Sequence, residues 1–181
     1  YAARLWWLLR TLGHRKAAVL DGGWAHWIAQ GLPTDNAIPV AQPATYRAAS
    51  GAGCLLDAAE IPVRLAAGDL LIDARAAERF RGEAEPIDRV AGHVPGAMNR
   101  PYAMNLSDGR FKSAAQLAGE FAALLDGRAP QRAIAMCGSG VTACHHLLAM
   151  AHAGMPGARL FTGSWSGWIE DPMRPVSIGS D

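Results

Sequence analysis

The chain is built from two kinds of hydrophobic pattern that alternate along its length. Short apolar runs at 70–75 ("LLIDAR"), 133–137 ("AIAMC") and 158–163 ("ARLFTG") are typical of buried strands. Longer stretches with apolar residues every three or four positions predict helices. These helices are expected at residues 1–13, 24–31, 57–68, 113–125, 142–154 and 164–171. Strands that alternate with helices predict an α/β fold, with a mainly parallel sheet and helices on both faces.

Two regions follow neither pattern. Residues 33–50 are rich in Pro, Ala, Thr and Ser, which indicates a linker. The stretch 78–101 is polar and punctuated by Gly and Pro, which predicts a long loop. We therefore divide the chain into an N-terminal segment at 1–35, a linker at 36–50 and a main domain at 51–181.

The N-terminal segment resembles a later part of the same chain. "LDGGWAHWI" (20–28) matches "FTGSWSGWI" (161–169) at an offset of 141, and the same offset aligns 1–13 with 142–154. The alignment predicts a strand and turn at 17–23. A duplication is favoured, and a coincidence of two Trp-rich turns is the alternative.

If the segment is the end of a first copy, roughly 90 residues of that copy are missing before it. The main domain is then expected to fold alone. Trp6 and Trp7, with the leucines beside them, are expected to expose apolar surface.

Composition narrows the function classes. The 181 residues carry a formal net charge of +1, which favours neither nucleic acid nor an anionic membrane as a partner. No stretch has the length and composition of a transmembrane helix. Three cysteines are too few for a disulfide framework, so a reducing, cytoplasmic location is expected.

The sequence "CGSGVTA" (137–143) is the main candidate for chemistry. It places Cys137 at the end of a predicted strand and before a predicted helix, where open α/β sheets have their active crevices. Gly138 and Gly140 permit unusual backbone angles, and Ser139 and Thr142 add hydroxyl donors. Loop N–H groups and the helix dipole would favour a thiolate or a bound anion.

Other interpretations of this cysteine are weaker. A phosphatase loop needs an arginine six residues after the cysteine, where Ala143 stands, and no cationic residue lies at 138–144. A redox C-x-x-C motif is absent. A structural cysteine before a Gly-rich turn remains possible. A metal site is conceivable but matches no strong zinc spacing; its ligands would be Cys144, His145, His146 and His152.

The loop resembles the active-site loop of the rhodanese superfamily, and more narrowly that of the tandem-domain 3-mercaptopyruvate sulfurtransferases. Supporting motifs are "LLIDAR" (70–75), "ERFRG" (78–82), "AGHVPGAMNRP" (91–101) and "GSWSGW" (163–168). Thiosulfate-preferring members usually have cationic residues after the cysteine, whereas this chain has Gly and Ser. The resemblance implies a rhodanese-like parallel sheet at 51–181, preceded by the C-terminal remnant of a first, non-catalytic rhodanese-like domain at 1–35.

The resemblance also implies a reaction. Cys137 would take sulfur from 3-mercaptopyruvate as a persulfide, release pyruvate and pass the sulfur to a thiol, a thioredoxin-like protein or cyanide. No cofactor beyond this covalent persulfide, no metal, no nucleic acid and no membrane partner is expected. The alternatives are a thiosulfate:cyanide sulfurtransferase and, from another class, a non-catalytic interaction or sulfur-carrier module.

Several site residues follow from the resemblance. Ser139 is the candidate proton relay beside Cys137. The substrate would contact the loop and two arginines, the first of which matches Arg79. The second family arginine follows "EP" directly, where this chain has Ile87, so Arg89 or Arg81 is expected to replace it. The loop residues expected to bind substrate are Gly138, Gly140, Val141 and Thr142.

Three further residues are given structural roles. Asp73 and Arg75 follow a predicted strand and are expected to pair with each other or to bind loop N–H groups. His93, in "GHVPG", is expected to hold the long loop through hydrogen bonds.

Overall fold

The computed structural model describes residues 1–49 and 53–180. It contains one five-stranded sheet and one two-stranded sheet. The strands of the larger sheet are β1 (Leu55–Leu56), β2 (Leu70–Asp73), β3 (Ala97–Asn99), β6 (Ala133–Met136) and β7 (Arg159–Phe161). Their spatial order is β1-β7-β6-β2-β3, and every neighbouring pair is parallel. The smaller sheet is an antiparallel hairpin of β4 (Leu106–Ser107) and β5 (Arg110–Phe111).

Except for one short helix at 77–80, in a stretch predicted as a loop, the described α-helices occupy the regions that the hydrophobic spacing predicts, mostly with shorter bounds. They are α1 (Ala2–Thr11), α2 (Gly23–Ala29), α3 (Glu60–Ala66), α4 (Ala77–Phe80), α5 (Ala114–Leu125), α6 (Ala143–His152) and α7 (Ser164–Trp168). Helix α5 starts with a capping box, in which Ser113 accepts the Gln116 N–H and the Gln116 side chain accepts the Ser113 N–H. None of the described helices has both the length and the apolar character needed to cross a membrane.

Both faces of the sheet are covered, as predicted. Alternate residues of β6 point to opposite faces, so Ile134 and Met136 pack with α3 and α7, whereas Ala133 packs with α5 and α6. The buried aromatic rings Trp165 and Phe121 lie on these two sides. The α/β class with a parallel sheet is confirmed.

The N-terminal helix packs on α6, which contradicts the expectation that its tryptophans are exposed. Ala3 and Trp7 are buried, with Trp7 only 6% exposed, and they share an apolar cluster with residues of α6 and with Cys137. The leucines on the opposite face of α1 are exposed, as expected; these are Leu5, Leu8 and Leu12. The apolar stripe of this helix therefore has a partner within the chain.

The structure preserves the offset found in the sequence repeat. Both bounds of α1 differ from those of α6 by 141 positions, and α2 begins 141 positions before α7. The predicted strand at 17–23 is wrong, because this stretch is irregular and ends in a turn. A strand needs a partner to complete its hydrogen-bond ladder, and no described strand pairs with these residues; β5 donates hydrogen bonds to this stretch only at the Asp21 side chain.

The long stretch at 78–101 is more regular than predicted, since it includes the end of α4 and all of β3. Residues 32–49 form neither helix nor strand, in agreement with a linker. Residues 50–52 and 181 of the proposed segments lie outside the described residues. The domain boundaries themselves stay predictions.

Candidate active site

The candidate nucleophile lies at the carboxyl edge of the sheet. Cys137 directly follows β6, next to the end of β2, and is only 2% exposed. Its N–H donates to Ser164 Oγ at 3.1 Å, and its carbonyl accepts the Trp165 N–H at 3.0 Å. The start of α7 therefore fixes the backbone of the cysteine on both sides.

The loop after the cysteine has its carbonyl groups held from outside. The Gly138 carbonyl accepts the N–H and the hydroxyl of Ser166, each at 2.9 Å. The Gly140 carbonyl accepts Arg4 Nη1 at 3.0 Å and the Cys144 thiol at 3.4 Å. These bonds come from α1, α6 and α7, so three helices determine the loop conformation.

Gly140 is required by this conformation. Its φ is +74°, and a Cβ atom at this position would lie 2.6 Å from the Thr162 carbonyl oxygen. Any L-residue here would be both strained and in steric conflict with backbone.

The N–H groups of the loop have no acceptor. In the part of the chain that the structure describes, nothing accepts a hydrogen bond from the N–H groups of Gly138–Thr142. Helix α6 begins directly after them at Ala143 and adds the positive end of its dipole. Consecutive unpaired N–H groups at a helix start form a binding place for an anion.

The predicted loop residues differ in exposure. Ser139 is exposed, Gly138, Val141 and Thr142 are half-buried, and Gly140 is buried. The Ser139 side chain forms no hydrogen bond with the described residues. Its predicted proton-relay role therefore depends on a bound molecule.

The structure brings Arg79 to the loop. A Cβ atom on Gly138 would lie 3.7 and 3.8 Å from the two Nη atoms of Arg79. Arg79 also forms ion pairs with Glu85 at 2.6 Å and with Asp88 at 3.2 Å. It is therefore an arginine beside the cysteine loop, as the resemblance implies, but two carboxylates already contact it.

The structure does not bring Arg89 to the same place. Arg89 donates through Nη2 to the Ile169 carbonyl, near the C-terminal segment. Ile87 is 75% exposed, and Arg81 pairs with Glu83 at the surface. The prediction of a second arginine in contact with substrate gains no support from these contacts.

Comparison with known proteins identifies the family. Residues 57–171 match the Rhodanese-like domain.

The chain belongs to the rhodanese-like domain family. It is 51% identical to the "Probable 3-mercaptopyruvate sulfurtransferase" of Pseudomonas aeruginosa, over 99% of this chain and 64% of that protein. It is 37% identical to the human 3-mercaptopyruvate sulfurtransferase, over 99% of this chain and 61% of that protein. It is 33% identical to the thiosulfate sulfurtransferase of Rattus norvegicus, over 99% of this chain and 62% of that protein. The chain thus spans less than two thirds of the length of these relatives.

Solved structures support the same fold. The Tum1 protein of Saccharomyces cerevisiae superposes with a TM-score of 0.76 at 23% identity, over 99% of this chain and 66% of that one. The complex of EanB/Y353A with ergothioneine superposes with a TM-score of 0.85 at 20% identity, over 99% of this chain and 45% of that one. At these identities the likeness shows the fold alone.

Buried ion pairs lie at the carboxyl edge of the sheet in this rhodanese-like domain. Arg75 pairs with Asp73 at 2.7 Å and with Glu85 at 3.4 Å, and its guanidinium lies 4.7 Å from the centre of the Trp165 ring. Burial opposes ionisation of Glu85, but hydrogen bonds from Arg79 and from backbone N–H groups outweigh it and lower its pKa. The predicted pairing of Asp73 with Arg75 is confirmed.

His93 holds the long loop of the rhodanese-like domain, as predicted. Its Nδ1 lies 2.8 Å from the Phe80 carbonyl, and its ring stacks on the Phe80 ring at 3.7 Å. Its backbone N–H and carbonyl also pair with those of Ser177.

The residues of the conceivable metal site have other partners. His145 and His146 each lie with Nδ1 3.0 Å from Asn105 Nδ2, and His146 Nε2 donates to the Arg100 carbonyl. Burial, then the positive charges of the N-terminal amine and of Arg100, lowers the pKa of His145 to about 4. Burial, and then the charge of Arg100, lowers the pKa of His146 to about 3. Among residues 1–49 and 53–180, no group of three or more His, Cys, Asp or Glu could hold a metal ion.

Sequence reasoning missed four residues at this site, which are Arg4, Glu85, Asp88 and Ser166. Arg4 and Ser166 reach the loop from segments that are distant along the chain, so no local spacing could reveal them. Glu85 and Asp88 lie only six and nine positions after Arg79, and the "EAEPID" stretch gave a partial signal, because its three carboxylates follow an arginine-rich turn.

Proposed function

We propose that this chain transfers sulfane sulfur from 3-mercaptopyruvate, through a persulfide on Cys137, to a thiol, a thioredoxin-like protein or cyanide. The observation that carries this proposal is that nothing among residues 1–49 and 53–180 accepts a hydrogen bond from the N–H groups of Gly138–Thr142, directly after the cysteine. Such groups stabilise a thiolate and a persulfide anion. The names of the relatives support the same reaction.

In the first half-reaction the Cys137 thiolate attacks the sulfur of 3-mercaptopyruvate. The S–S bond forms as the C–S bond breaks, and the electron pair of the C–S bond stays on the carbon as the pyruvate enolate. A proton that was bound to the donor sulfur or to solvent then converts the enolate to pyruvate. Ser139 is exposed beside the loop and is proposed to relay this proton.

In the second half-reaction an acceptor thiolate, or cyanide, attacks the outer sulfur and releases the Cys137 thiolate. Each half-reaction moves one neutral sulfur atom and leaves the electron pair of the broken bond on the departing group, so neither needs an external oxidant or reductant. The covalent persulfide is therefore the only carrier proposed, with no cofactor or metal. Two separate half-reactions predict ping-pong kinetics.

The donor carboxylate is proposed to meet Arg79, whose Nη atoms lie next to Gly138. Guanidinium groups bind carboxylates through two parallel hydrogen bonds. The loop residues Gly140, Val141 and Thr142 would contact the sulfur-bearing end. A contact by Arg89 would require this side chain to leave the Ile169 carbonyl.

Two alternatives compete with this proposal. Relatives named thiosulfate sulfurtransferase favour thiosulfate as the donor. The residues at positions 138 and 139, Gly and Ser, argue against thiosulfate, because its anionic sulfite group would find no cationic partner there. A non-catalytic interaction or sulfur-carrier module is the other alternative.

We also propose that residues 1–35 are the end of a first, non-catalytic rhodanese-like domain, that 36–50 is a linker and that 51–181 is the catalytic domain. The shared offset of 141 between α1 and α6, and between α2 and α7, supports the duplication. A cytoplasmic location is proposed because three cysteines are too few for a disulfide framework.

The reaction can be tested by mass spectrometry. The protein is incubated with 3-mercaptopyruvate or with thiosulfate, and released pyruvate is measured in parallel. A gain of one sulfur at Cys137, faster with 3-mercaptopyruvate and matched by pyruvate, is expected. Fragment ions must separate Cys137 from Cys144, because both lie between Arg132 and Arg159 and share a tryptic peptide.

The variant Cys137→Ser is the control and should lose both signals. Labelling by thiosulfate alone would assign the chain to the thiosulfate sulfurtransferases. No added sulfur from either donor would reject the proposed activity for this chain and favour the non-catalytic alternative.

A further inference from the structure

Asp88 places a carboxylate at the position where an anionic donor would have to meet Arg79. Its Oδ2 lies 3.2 Å from Arg79 Nη2 and 4.0 Å from where a Cβ on Gly138 would lie. Its Oδ1 lies 2.8 Å from Ser166 Oγ, whose single proton is shared between this oxygen and the Gly138 carbonyl. Both oxygens of this carboxylate are thus fixed beside the first peptide of the cysteine loop.

The charges around Arg79 do not balance. A chain of ion pairs runs from Asp73 through Arg75, Glu85 and Arg79 to Asp88. It contains three carboxylates and two guanidinium groups, which leaves one negative charge in excess. An anion that approaches Arg79 therefore meets a cluster that is already negative.

Glu85 is the main partner of Arg79, which makes the charge of Asp88 the surplus one. Glu85 accepts from both Nε and Nη2 of Arg79, at distances of 2.6–3.1 Å. Asp88 has a single contact with Arg79, at 3.2 Å. The Asp88 contact is therefore the one that a second carboxylate could replace while Arg79 keeps its orientation.

We propose that Asp88 is a specificity-determining residue whose carboxylate competes with the anionic group of the donor for Arg79. The inference rests on the proposed function, in which Arg79 binds the donor carboxylate. It implies that small anionic donors bind less tightly here than the loop alone would allow. The binding of neutral molecules of the same size is not weakened by this repulsion.

A purely structural role for Asp88 would act through Ser166. The Gly138 carbonyl, however, also accepts the backbone N–H of Ser166 at 2.9 Å, and this bond does not involve the Asp88 carboxylate. The position of Gly138 therefore does not depend on the charge of Asp88. A variant that removes the charge and keeps the shape separates the two roles.

The test compares two alkylating agents of almost equal size, iodoacetate and iodoacetamide, on the full chain. Only the first is charged, so the ratio of their reaction rates at Cys137 reports recognition of an anion and does not require sulfur transfer. Asp88→Asn should raise the ratio of iodoacetate to iodoacetamide about fivefold, the effect of one charge about 5 Å away in a largely aqueous site. The same variant should lower the KM for 3-mercaptopyruvate by a similar factor and leave kcat nearly unchanged.

Two variants serve as controls. Glu83→Gln removes an exposed carboxylate that pairs with Arg81, and it should leave the ratio unchanged. Ser166→Ala removes the hydroxyl bonds to Asp88 and Gly138 but no charge, so it should change the ratio less than twofold.

An unchanged or lower ratio in Asp88→Asn would overturn the inference, as would an absence of alkylation at Cys137 by either reagent in the unmodified protein. If the ratio rises but no variant forms a persulfide, the proposed function fails and the anion competition stands. If persulfide forms and the ratio does not move, only the competition is rejected.

Discussion

Arg4 donates a hydrogen bond of 3.0 Å from Nη1 to the carbonyl oxygen of Gly140, which lies 136 positions later in the chain. The same nitrogen lies 3.8 Å from the Cys144 sulfur. Burial raises the pKa of the Cys144 thiol, although Arg4 opposes this shift, so Cys144 is a neutral thiol donor to Gly140. Helix α1, outside the residues matched by the family model, therefore supports the loop that contains Cys137.

The first prediction concerns this contact. Arg4→Gln should slow persulfide formation at Cys137 about three- to tenfold. Loss of the hydrogen bond from the Arg4 guanidinium to the buried Gly140 carbonyl should cost roughly 1 kcal/mol, and the loop should then be less well ordered. Arg10→Gln is the matched control on the same helix, since Arg10 lies over the Trp6 ring and does not contact the loop. Rates are followed by pyruvate release under single turnover. Equal effects in the two variants would show that the contact only stabilises α1.

The second prediction concerns the backbone at Gly140. Gly140→Ala combines a positive φ with a Cβ 2.6 Å from the Thr162 carbonyl, and it should destabilise the protein by about 3 kcal/mol. Gly109→Ala has nearly the same φ, +73°, in open space and should cost about 1 kcal/mol. Urea unfolding measures both. Equal losses would mean that the loop moves to accept the methyl group.

The third prediction concerns the packing of α1 on α6. Trp7→Ala should lower the free energy of unfolding by about 3 kcal/mol, because the buried ring leaves a cavity. Trp24→Ala removes a ring that is 63% exposed and should cost less than about 1 kcal/mol. Hydrogen exchange should also show protected amides in α1 and rapid exchange at 32–49. Rapid exchange throughout α1 would contradict the packing described above.

The fourth prediction concerns pH. His145 and His146 have folded-state pKa values of about 4 and about 3, below the usual 6.5, because they are buried beside Arg100. Between these values and pH 6.5 the unfolded chain binds more protons, so stability is complete above pH 6.5 and falls as the pH decreases. Since two groups contribute, the slope should be about 2 kcal/mol per pH unit between pH 6 and 4.

Urea unfolding at several pH values measures this slope. His146→Gln should remove about half of the slope, because His145 still contributes the rest, whereas His26→Gln, outside the buried pair, should leave it unchanged. A slope that stays at its full value in His146→Gln would assign the effect to other groups.

Much of the fold could be predicted because its signals are local. The spacing of apolar residues predicts α5 and α6, and the Ser113 and Gln116 pair gives the start of α5 within its own four residues. The buried run at 133–137 and the Gly-rich loop after it predict a cysteine at a strand-to-helix junction, and the structure has it there. The family resemblance carried by these motifs is confirmed.

The strand assignments show where local signals fail. The run at 17–23 has a strand pattern but pairs with no described strand, whereas β3 in a Gly- and Pro-rich stretch is a strand because it pairs with β2. Strand β1 and the β4–β5 hairpin have two residues per strand, too few for an alternating pattern.

The sequence by itself determined the α/β class, the position of Cys137 between β6 and α6, and the repeat spacing of 141, because each depends on residues close together in the chain or on a repeated pattern. Tertiary structure alone decided that Arg79 and not Arg89 lies beside Gly138, that Asp88 accompanies it, and that Arg4 reaches Gly140. These contacts join residues whose distance apart depends on how sheet and helices pack. Hydrogen bonds and ion pairs act over a few ångströms, so they form only after the fold has brought such residues together.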